Sequence, residues 1–130
     1  MGISSNGILV FGIDLGEARP EFLEDYDGDF DDYLEAASGL PKWGEPGHDF
    51  TAQWAYRDAC PAEIVLYCSY ECPMYILAVR GTETTVYRGY VEEISSLSVD
   101  ERQLIAFKAW CVERGIENPE PKWLLASMYG

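Results

Sequence analysis

The sequence is short of basic side chains. Nine Lys and Arg stand against 23 Asp and Glu, with a single His, which gives a formal net charge of −14 at pH 7. Nucleic-acid binding depends largely on Lys and Arg that neutralise phosphates. This composition therefore argues against direct binding to a nucleic acid. It also predicts that any electrostatic partner of the chain carries positive charge.

Long hydrophobic runs are missing as well. No stretch of the sequence approaches the roughly 20 apolar residues that a membrane-spanning helix needs. Residues 1–6 include no basic side chain of the kind that begins a secretion signal. Asn6 stands where a myristoylation signal favours Ser or Thr. We therefore expect a cytoplasmic protein with no membrane role.

The third absence concerns paired cysteines. The chain has no Cys-x₂-Cys pair, the usual unit of a structural zinc site, although it has four cysteines: Cys60, Cys68, Cys72 and Cys111. Thiols stay reduced in a cytoplasm, so we predict free cysteines, no structural metal and no cofactor. His48 is the only histidine and has no Ser or Cys beside it. The sequence therefore offers no evident nucleophile and base pair.

What the chain does contain is a mixed pattern of strands and helices. Its 130 residues, 48% of them hydrophobic, suit one domain spanning residues 1–130. Four segments have the composition of β-strands: 5–13, 63–69, 73–80 and 84–91. The second and third should form a hairpin that the fourth extends. We predict an α+β fold in which an antiparallel sheet of about four strands carries two main helices.

The two predicted helices cover residues 20–38 and 99–114. In the first, large apolar residues recur every three or four positions, so it should be one helix or two short helices broken at Gly28. The second begins with the capping-box spacing Ser98-x-x-Glu101 and stops at Gly115. Its predicted apolar face consists of Leu104, Ile105, Phe107, Cys111 and Val112.

Two apolar features lie outside this pattern. Trp110 falls on the charged side of the second predicted helix, where it is either covered by the C-terminal tail or exposed as a binding anchor. The tail itself is too hydrophobic to remain in solvent. We therefore expect Trp123, Leu124 and Leu125 to be buried against the core.

Negative charge is concentrated between Glu17 and Glu35. This segment has nine acidic residues and only Arg19 as a basic one, so a net charge of −8 falls within 19 residues. The alternating carboxylates do not match a calcium-binding EF-hand, because Phe30 would occupy its glycine position. We predict that the segment binds a basic partner. The candidate partner-binding residues are Asp25, Asp27, Asp29, Asp31, Asp32 and Glu35, together with Trp110.

The segment Gly12-Ile13-Asp14-Leu15-Gly16 is similar to the first phosphate loop of the actin and Hsp70 ATPase fold. Glu17 and Ala18 stand where that loop has hydroxyls, and a carboxylate there would repel a polyphosphate. We interpret the segment as a strand end followed by a glycine turn. An alternative hypothesis is a small metal-dependent hydrolase whose ligands are Asp14 and the carboxylates of residues 25–32. A virion or assembly component is a further alternative.

Seven short segments of the chain together carry a resemblance to other proteins. They are Met1-Gly2-Ile3-Ser4, Phe11-Gly12-Ile13-Asp14-Leu15-Gly16, Cys68-Ser69-Tyr70-Glu71, Pro73-Met74-Tyr75-Ile76-Leu77-Ala78, Arg88-Gly89-Tyr90, Pro121-Lys122-Trp123-Leu124-Leu125-Ala126-Ser127 and Tyr129-Gly130. Over most of its length the chain thus resembles a group of small bacteriophage proteins of unknown function. The resemblance implies a phage origin and a host cytoplasm, and it assigns no functional residue. Combined with the acidic segment, it favours a non-enzymatic phage protein that binds a basic surface of a host protein, such as one that holds nucleic acid.

Overall fold

The computed structural model describes residues 5–129, so Met1 to Ser4 and Gly130 of the compared segments lie outside it. Five β-strands, three α-helices and one 3₁₀-helix occur in this part of the chain. Their bounds are β1 (Ser5–Gly16), the 3₁₀-helix (Glu21–Tyr26), α1 (Phe30–Ser38), α2 (Phe50–Ala59), β2 (Ala62–Ser69), β3 (Pro73–Val79), β4 (Thr84–Tyr87), α3 (Glu101–Glu113) and β5 (Lys122–Tyr129). The predicted α+β class is confirmed.

The chain divides into two compact units. Residues Arg19–Cys60 form the second unit, and the segments before and after them form the first. All five strands and α3 therefore belong to the first unit, whereas the 3₁₀-helix, α1 and α2 belong to the second.

The sheet of the first unit is mixed and has the strand order β3-β2-β5-β1-β4. Strand β1 pairs with β5 along one edge and with β4 and then β3 along the other. Strand β3 pairs with β2, and β2 meets β5 in a short parallel ladder at Cys68 with Met128 and Ser69 with Tyr129. Four strands therefore close into a ring. Its apolar interior contains Ile8, Val10, Val65, Ile76, Ala78 and Met128.

The predicted hairpin is confirmed as β2 and β3, but the rest of the predicted sheet needs correction. Strand β4 pairs with β1 rather than extending the hairpin, and the C-terminal tail is a fifth strand. The tail joins the sheet because its even-numbered residues lie opposite the even-numbered residues of β1, as in the pair of Val10 with Leu124. The even-numbered residues of β1 and those of β5 therefore contribute side chains to the same core.

The tail is only partly buried, because successive side chains of a strand point to opposite faces. Trp123 and Leu124 are half-buried, and the ring of Trp123 lies 5.2 Å from that of Phe11. The predicted burial of Leu125 is wrong, since this side chain is 83% exposed.

Helix α3 begins two residues later than the capping-box spacing predicts, because its N-cap is Asp100 rather than Ser98. The Oδ1 of Asp100 accepts hydrogen bonds from the backbone N–H groups of Arg102 at 2.8 Å and Gln103 at 3.3 Å. The Ser98 hydroxyl instead lies 3.5 Å from that of Ser96. The predicted stop is confirmed, because Gly115 adopts a left-handed φ of +84° directly after Arg114, the C-cap of the helix.

The buried face of α3 is rotated from the predicted one. Phe107 and Cys111 are buried as expected, but Ile105 and Val112 are exposed. Their place is taken by Trp110, which is only 8% exposed and has the Arg114 guanidinium 4.0 Å from the centre of its ring. Trp110 is therefore a covered residue rather than an exposed one, and its use as a partner-binding anchor stays a prediction.

The corrected cap of α3 leads to a first prediction. Changing Asp100 to Ala should lower the free energy of unfolding by about 1 kcal/mol, because two backbone N–H groups lose their acceptor. Changing Ser98 to Ala should have little effect. Urea unfolding of both variants checks this, and a larger loss for Ser98→Ala would mean that the capping box forms after all.

The second unit is built around aromatic side chains. Asp27 and Gly28 adopt left-handed φ angles of +52° and +79°. Helical structure is therefore interrupted between the 3₁₀-helix and α1, as the position of Gly28 predicts. Rings from both sides of the break meet at centroid distances of 5.0 to 6.5 Å; they belong to Phe22, Tyr26, Phe30 and Tyr33. Helix α1 packs against α2 and the 3₁₀-helix of this unit.

The cysteines are free thiols in the structure. Cys60 and Cys111 are buried, Cys68 is half-buried and Cys72 is exposed. Among residues 5–129, no helix has the length and apolar character needed to cross a membrane.

Candidate functional site

Six carboxylates of the second unit form what we call the acidic face. Asp25 lies on the 3₁₀-helix, Asp27 and Asp29 lie in the turn that follows, and the others lie on α1. The five aspartates are exposed and the glutamate is half-buried. The members of the acidic face are Asp25, Asp27, Asp29, Asp31, Asp32 and Glu35.

The local backbone accommodates these charges. Asp29 is the N-cap of α1, and its Oδ1 accepts a hydrogen bond from the backbone N–H of Asp32 at 3.0 Å. Asp31 and Asp32 occupy the first turn of the helix, where the helix dipole favours negative charge. The dense run of aspartates is therefore compatible with an ordered helix start.

The carboxylates still repel one another. The pKa of Asp32 is raised above its ordinary value, chiefly by the neighbouring charge of Asp29, with smaller contributions from desolvation and from Glu35 and Asp31. In the described part of the chain, no ion pair joins a member of the acidic face to a basic side chain. The charge of Lys42 lowers the pKa of Asp32 but does not outweigh the repulsion, since that pKa stays raised.

The second unit has a group of exposed aromatic rings that the sequence did not predict. Trp43, Phe50 and Trp54 are 73%, 48% and 57% exposed. Phe50 contacts both tryptophans and also the ring of His48, with centroid distances of 4.4 to 5.9 Å. We call these four side chains the aromatic cluster. The sequence signal for it is weak, because large aromatic residues in an aperiodic segment are usually interpreted as core.

A pocket of about 170 Å³ between α1 and α2 links the acidic face to the aromatic cluster. The pocket is lined from α1 by Asp31, Leu34, Glu35 and Ser38, and from α2 by Phe50, Gln53, Trp54, Tyr56 and Arg57. Pockets for drug-sized ligands are usually about 300 to 1,000 Å³. This one is therefore of a size to receive a single side chain.

The first unit contains a separate cleft at the end of β1. The Tyr67 hydroxyl donates to Asp14 Oδ1 at 2.6 Å, and the backbone N–H of Gly16 donates to the same oxygen at 2.9 Å. The hydrogen bond to Asp14 raises the pKa of Tyr67 to about 12. The cleft has a volume of about 300 Å³ and includes Ile76 and Leu124 in its walls.

These contacts bear on the alternative hypothesis of a metal-dependent enzyme. Asp14 belongs to the first unit, where it accepts a hydrogen bond from the backbone N–H of Gly16 at the end of β1, in line with the interpretation of a strand end at a glycine. The carboxylates of residues 25–32 belong to the second unit. Within residues 5–129, no group of three or more His, Cys, Asp or Glu side chains could hold a metal ion.

No protein-family model, curated protein or solved structure matches the chain. The site must therefore be judged from its own residues. Of the predicted partner-binding residues, the structure brings the six carboxylates together in one short segment and leaves Trp110 buried in α3 of the other unit.

Proposed function

We propose that this protein binds a basic surface of another protein through the acidic face. The observation that carries the proposal is the exposure of five aspartates within eight residues, none of which forms an ion pair with a basic side chain in the described part of the chain. Charges crowded within a Debye length of about 8 Å repel one another, and a basic partner relieves that repulsion.

A nucleic-acid-binding surface is the kind of target that fits this charge pattern. Such surfaces present clustered Lys and Arg that neutralise regularly spaced phosphates. A run of exposed carboxylates attracts the same side chains and would block the site. Since the resemblance to phage proteins implies a host cytoplasm, we propose a host protein as the target.

Charge complementarity of this kind has a kinetic consequence. Opposite charges on two proteins steer their encounter and can raise the association rate well above that of a neutral pair. Salt screens the attraction between exposed charges, so association should slow as the salt concentration rises.

The test replaces the five aspartates by asparagine. The variant carries Asp25→Asn, Asp27→Asn, Asp29→Asn, Asp31→Asn and Asp32→Asn. Asparagine keeps the size of the side chain, caps a helix about as well as aspartate and tolerates the left-handed conformation at residue 27. We expect affinity capture from a bacterial host lysate to lose the partner seen with the parent chain, while the melting temperature is unchanged or slightly higher.

The expected gain in stability follows from the raised pKa of Asp32. An acid whose pKa is raised by folding holds its proton more tightly in the folded state, so its charged form lowers stability as the pH rises through that pKa. Asparagine removes this charge. The stability difference that Asp32 contributes between the variant and the parent should therefore be present at pH 7 and shrink as the pH falls and Asp32 protonates.

A matched control changes the net charge by the same amount elsewhere. Five exposed glutamates of the first unit serve for this purpose, each replaced by Gln: Glu71, Glu92, Glu93, Glu117 and Glu120. This control should still capture the partner, and capture by the parent should weaken as salt is added. Equal capture by the parent and the five-Asn variant at low and high salt would contradict the proposed function.

A further inference from the structure

We infer that the pocket between α1 and α2 receives one arginine side chain of the partner. This inference rests on the proposed function and specifies which chemical group of the partner is recognised. One wall of the pocket is acidic. Asp31 and Glu35 both line the pocket and are four residues apart on α1, so their carboxylates lie on the same side of the helix. Two carboxylates in this position attract a single cation.

The opposite wall is aromatic. Phe50 and Trp54 are four residues apart on α2, and their ring centroids are 5.9 Å apart. Both side chains line the pocket and are about half exposed, so their surfaces are accessible to a partner. The face of an aromatic ring attracts cations, and tryptophan does so most strongly. A cation in the pocket is therefore bound by charge from α1 and by the aromatic rings of α2.

These two walls favour arginine over lysine. A guanidinium group is planar, stacks on aromatic rings and can form two parallel hydrogen bonds with a carboxylate. The ammonium group of lysine is a more strongly hydrated point charge and does not stack. The buried Leu34 side chain also lines the pocket, which provides an apolar contact for the methylene groups of an arginine.

One lining residue opposes a cation. Arg57 contributes a like charge to the pocket, although its Nε lies 3.4 Å from Asp58 Oδ1 in an exposed ion pair. An exposed pair of this kind neutralises its charges only in part. Replacing Arg57 by Gln should therefore strengthen the binding of a cation, which is the opposite of the effect expected from the acidic and aromatic walls.

The experiment measures binding of two capped peptides, hexa-arginine and hexa-lysine, to the full-length chain by isothermal titration calorimetry. We expect Trp54→Leu to weaken the binding of hexa-arginine about fivefold, as expected for the loss of one cation–π contact. Hexa-lysine binding should change less than about twofold, because lysine is held mainly by charge. Glu35→Gln should weaken hexa-arginine binding by a similar factor, and Arg57→Gln should strengthen it.

Trp43→Leu is the matched control, since Trp43 is an exposed tryptophan of the aromatic cluster that does not line the pocket. It should leave hexa-arginine binding within about twofold of the parent. Should Trp54→Leu fail to fold, the indole N–H resonance of Trp54 in the parent supplies the same information. That resonance should shift on addition of hexa-arginine, whereas the resonance of Trp43 should shift less.

Two results would overturn the arginine pocket. One is an equal loss of binding in Trp54→Leu and Trp43→Leu, and the other is an equal response of the two peptides to Trp54→Leu. Either result leaves the acidic face in place if the five-Asn variant loses both peptides. Undiminished binding of both peptides by the five-Asn variant would instead contradict the proposed function itself.

Discussion

A chain that ends at Glu120 will lose the cooperative unfolding transition of the first unit. The deletion removes β5, which lies between β1 and β2 in the sheet and pairs with β1 over eight residues. It also removes Met128 from the core, together with Leu124 and Ala126, which pack against it. Each large apolar side chain contributes roughly 1.5 to 3 kcal/mol when fully buried, and a whole domain is stable by only about 5 to 15 kcal/mol.

Thermal unfolding followed by circular dichroism measures this effect. The control is Leu125→Thr, which changes the most exposed large apolar side chain of β5 and keeps a residue suited to a strand. We expect this variant to melt close to the parent. A truncated chain that melted like the parent would mean that the C-terminal segment is a free peptide rather than a strand of the sheet.

Gly12→Ala should be the most damaging single substitution that we predict. Gly12 is buried in β1, where it pairs with Lys122 of β5 on one side and with Ala78 of β3 on the other. An added Cβ would lie 2.6 Å from the carbonyl oxygen of Leu77 and 2.8 Å from Cα of Ala78. Both are backbone atoms, which cannot rotate away as a side chain can. Overpacking of this kind costs about 1 to 3 kcal/mol, so we expect a loss at the upper end of that range.

Gly7→Ala provides the matched control on the same strand. There an added Cβ would meet only a side-chain methyl group, Cγ1 of Val86, at 3.1 Å. We expect Gly7→Ala to cost clearly less than Gly12→Ala in urea unfolding. Equal losses in the two variants would show that strand β3 does not approach β1 as closely as the structure has it.

The close approach of β3 to β1 also explains why Gly12 occurs in the segment that is similar to an ATPase phosphate loop. Gly12 leaves room for the backbone of β3, and Asp14 accepts hydrogen bonds from Tyr67 and Gly16. Packing and turn formation are thus sufficient reasons for both residues. A short motif of this kind indicates a nucleotide site only in the structural context that the site requires.

Features that depend on neighbouring residues could be predicted from the sequence alone. The concentration of charge between Glu17 and Glu35 is one of them, and the helix break at Gly28 and the helix end at Gly115 are others. Left-handed backbone conformations favour glycine wherever they occur, so these positions carry their own signal. The hairpin of β2 and β3 is similarly local, because a short turn joins its two strands.

Features that depend on distant residues could not be predicted in this way. The pairing of Ser5 with Tyr129 closes the sheet across almost the whole chain, and no local pattern distinguishes a tail that forms a strand from one that packs irregularly. The same holds for the exposure of Leu125, which follows from the register of β5 against β1. For α3, a sequence period marks an apolar stripe, but the packing of the helix decided that Trp110 rather than Ile105 is buried.

The features of the candidate site also fall into these two groups, the local ones and those that depend on distant residues. The sequence by itself determined that the six carboxylates are close together and that the chain has few basic residues to pair with them, because charge and spacing are properties of the chain. Only the tertiary structure decided that α2 packs beside α1 and places Phe50 and Trp54 in the same pocket as Asp31 and Glu35. The physical reason is that helix packing depends on the complementary shapes of two surfaces, which residue order alone does not reveal.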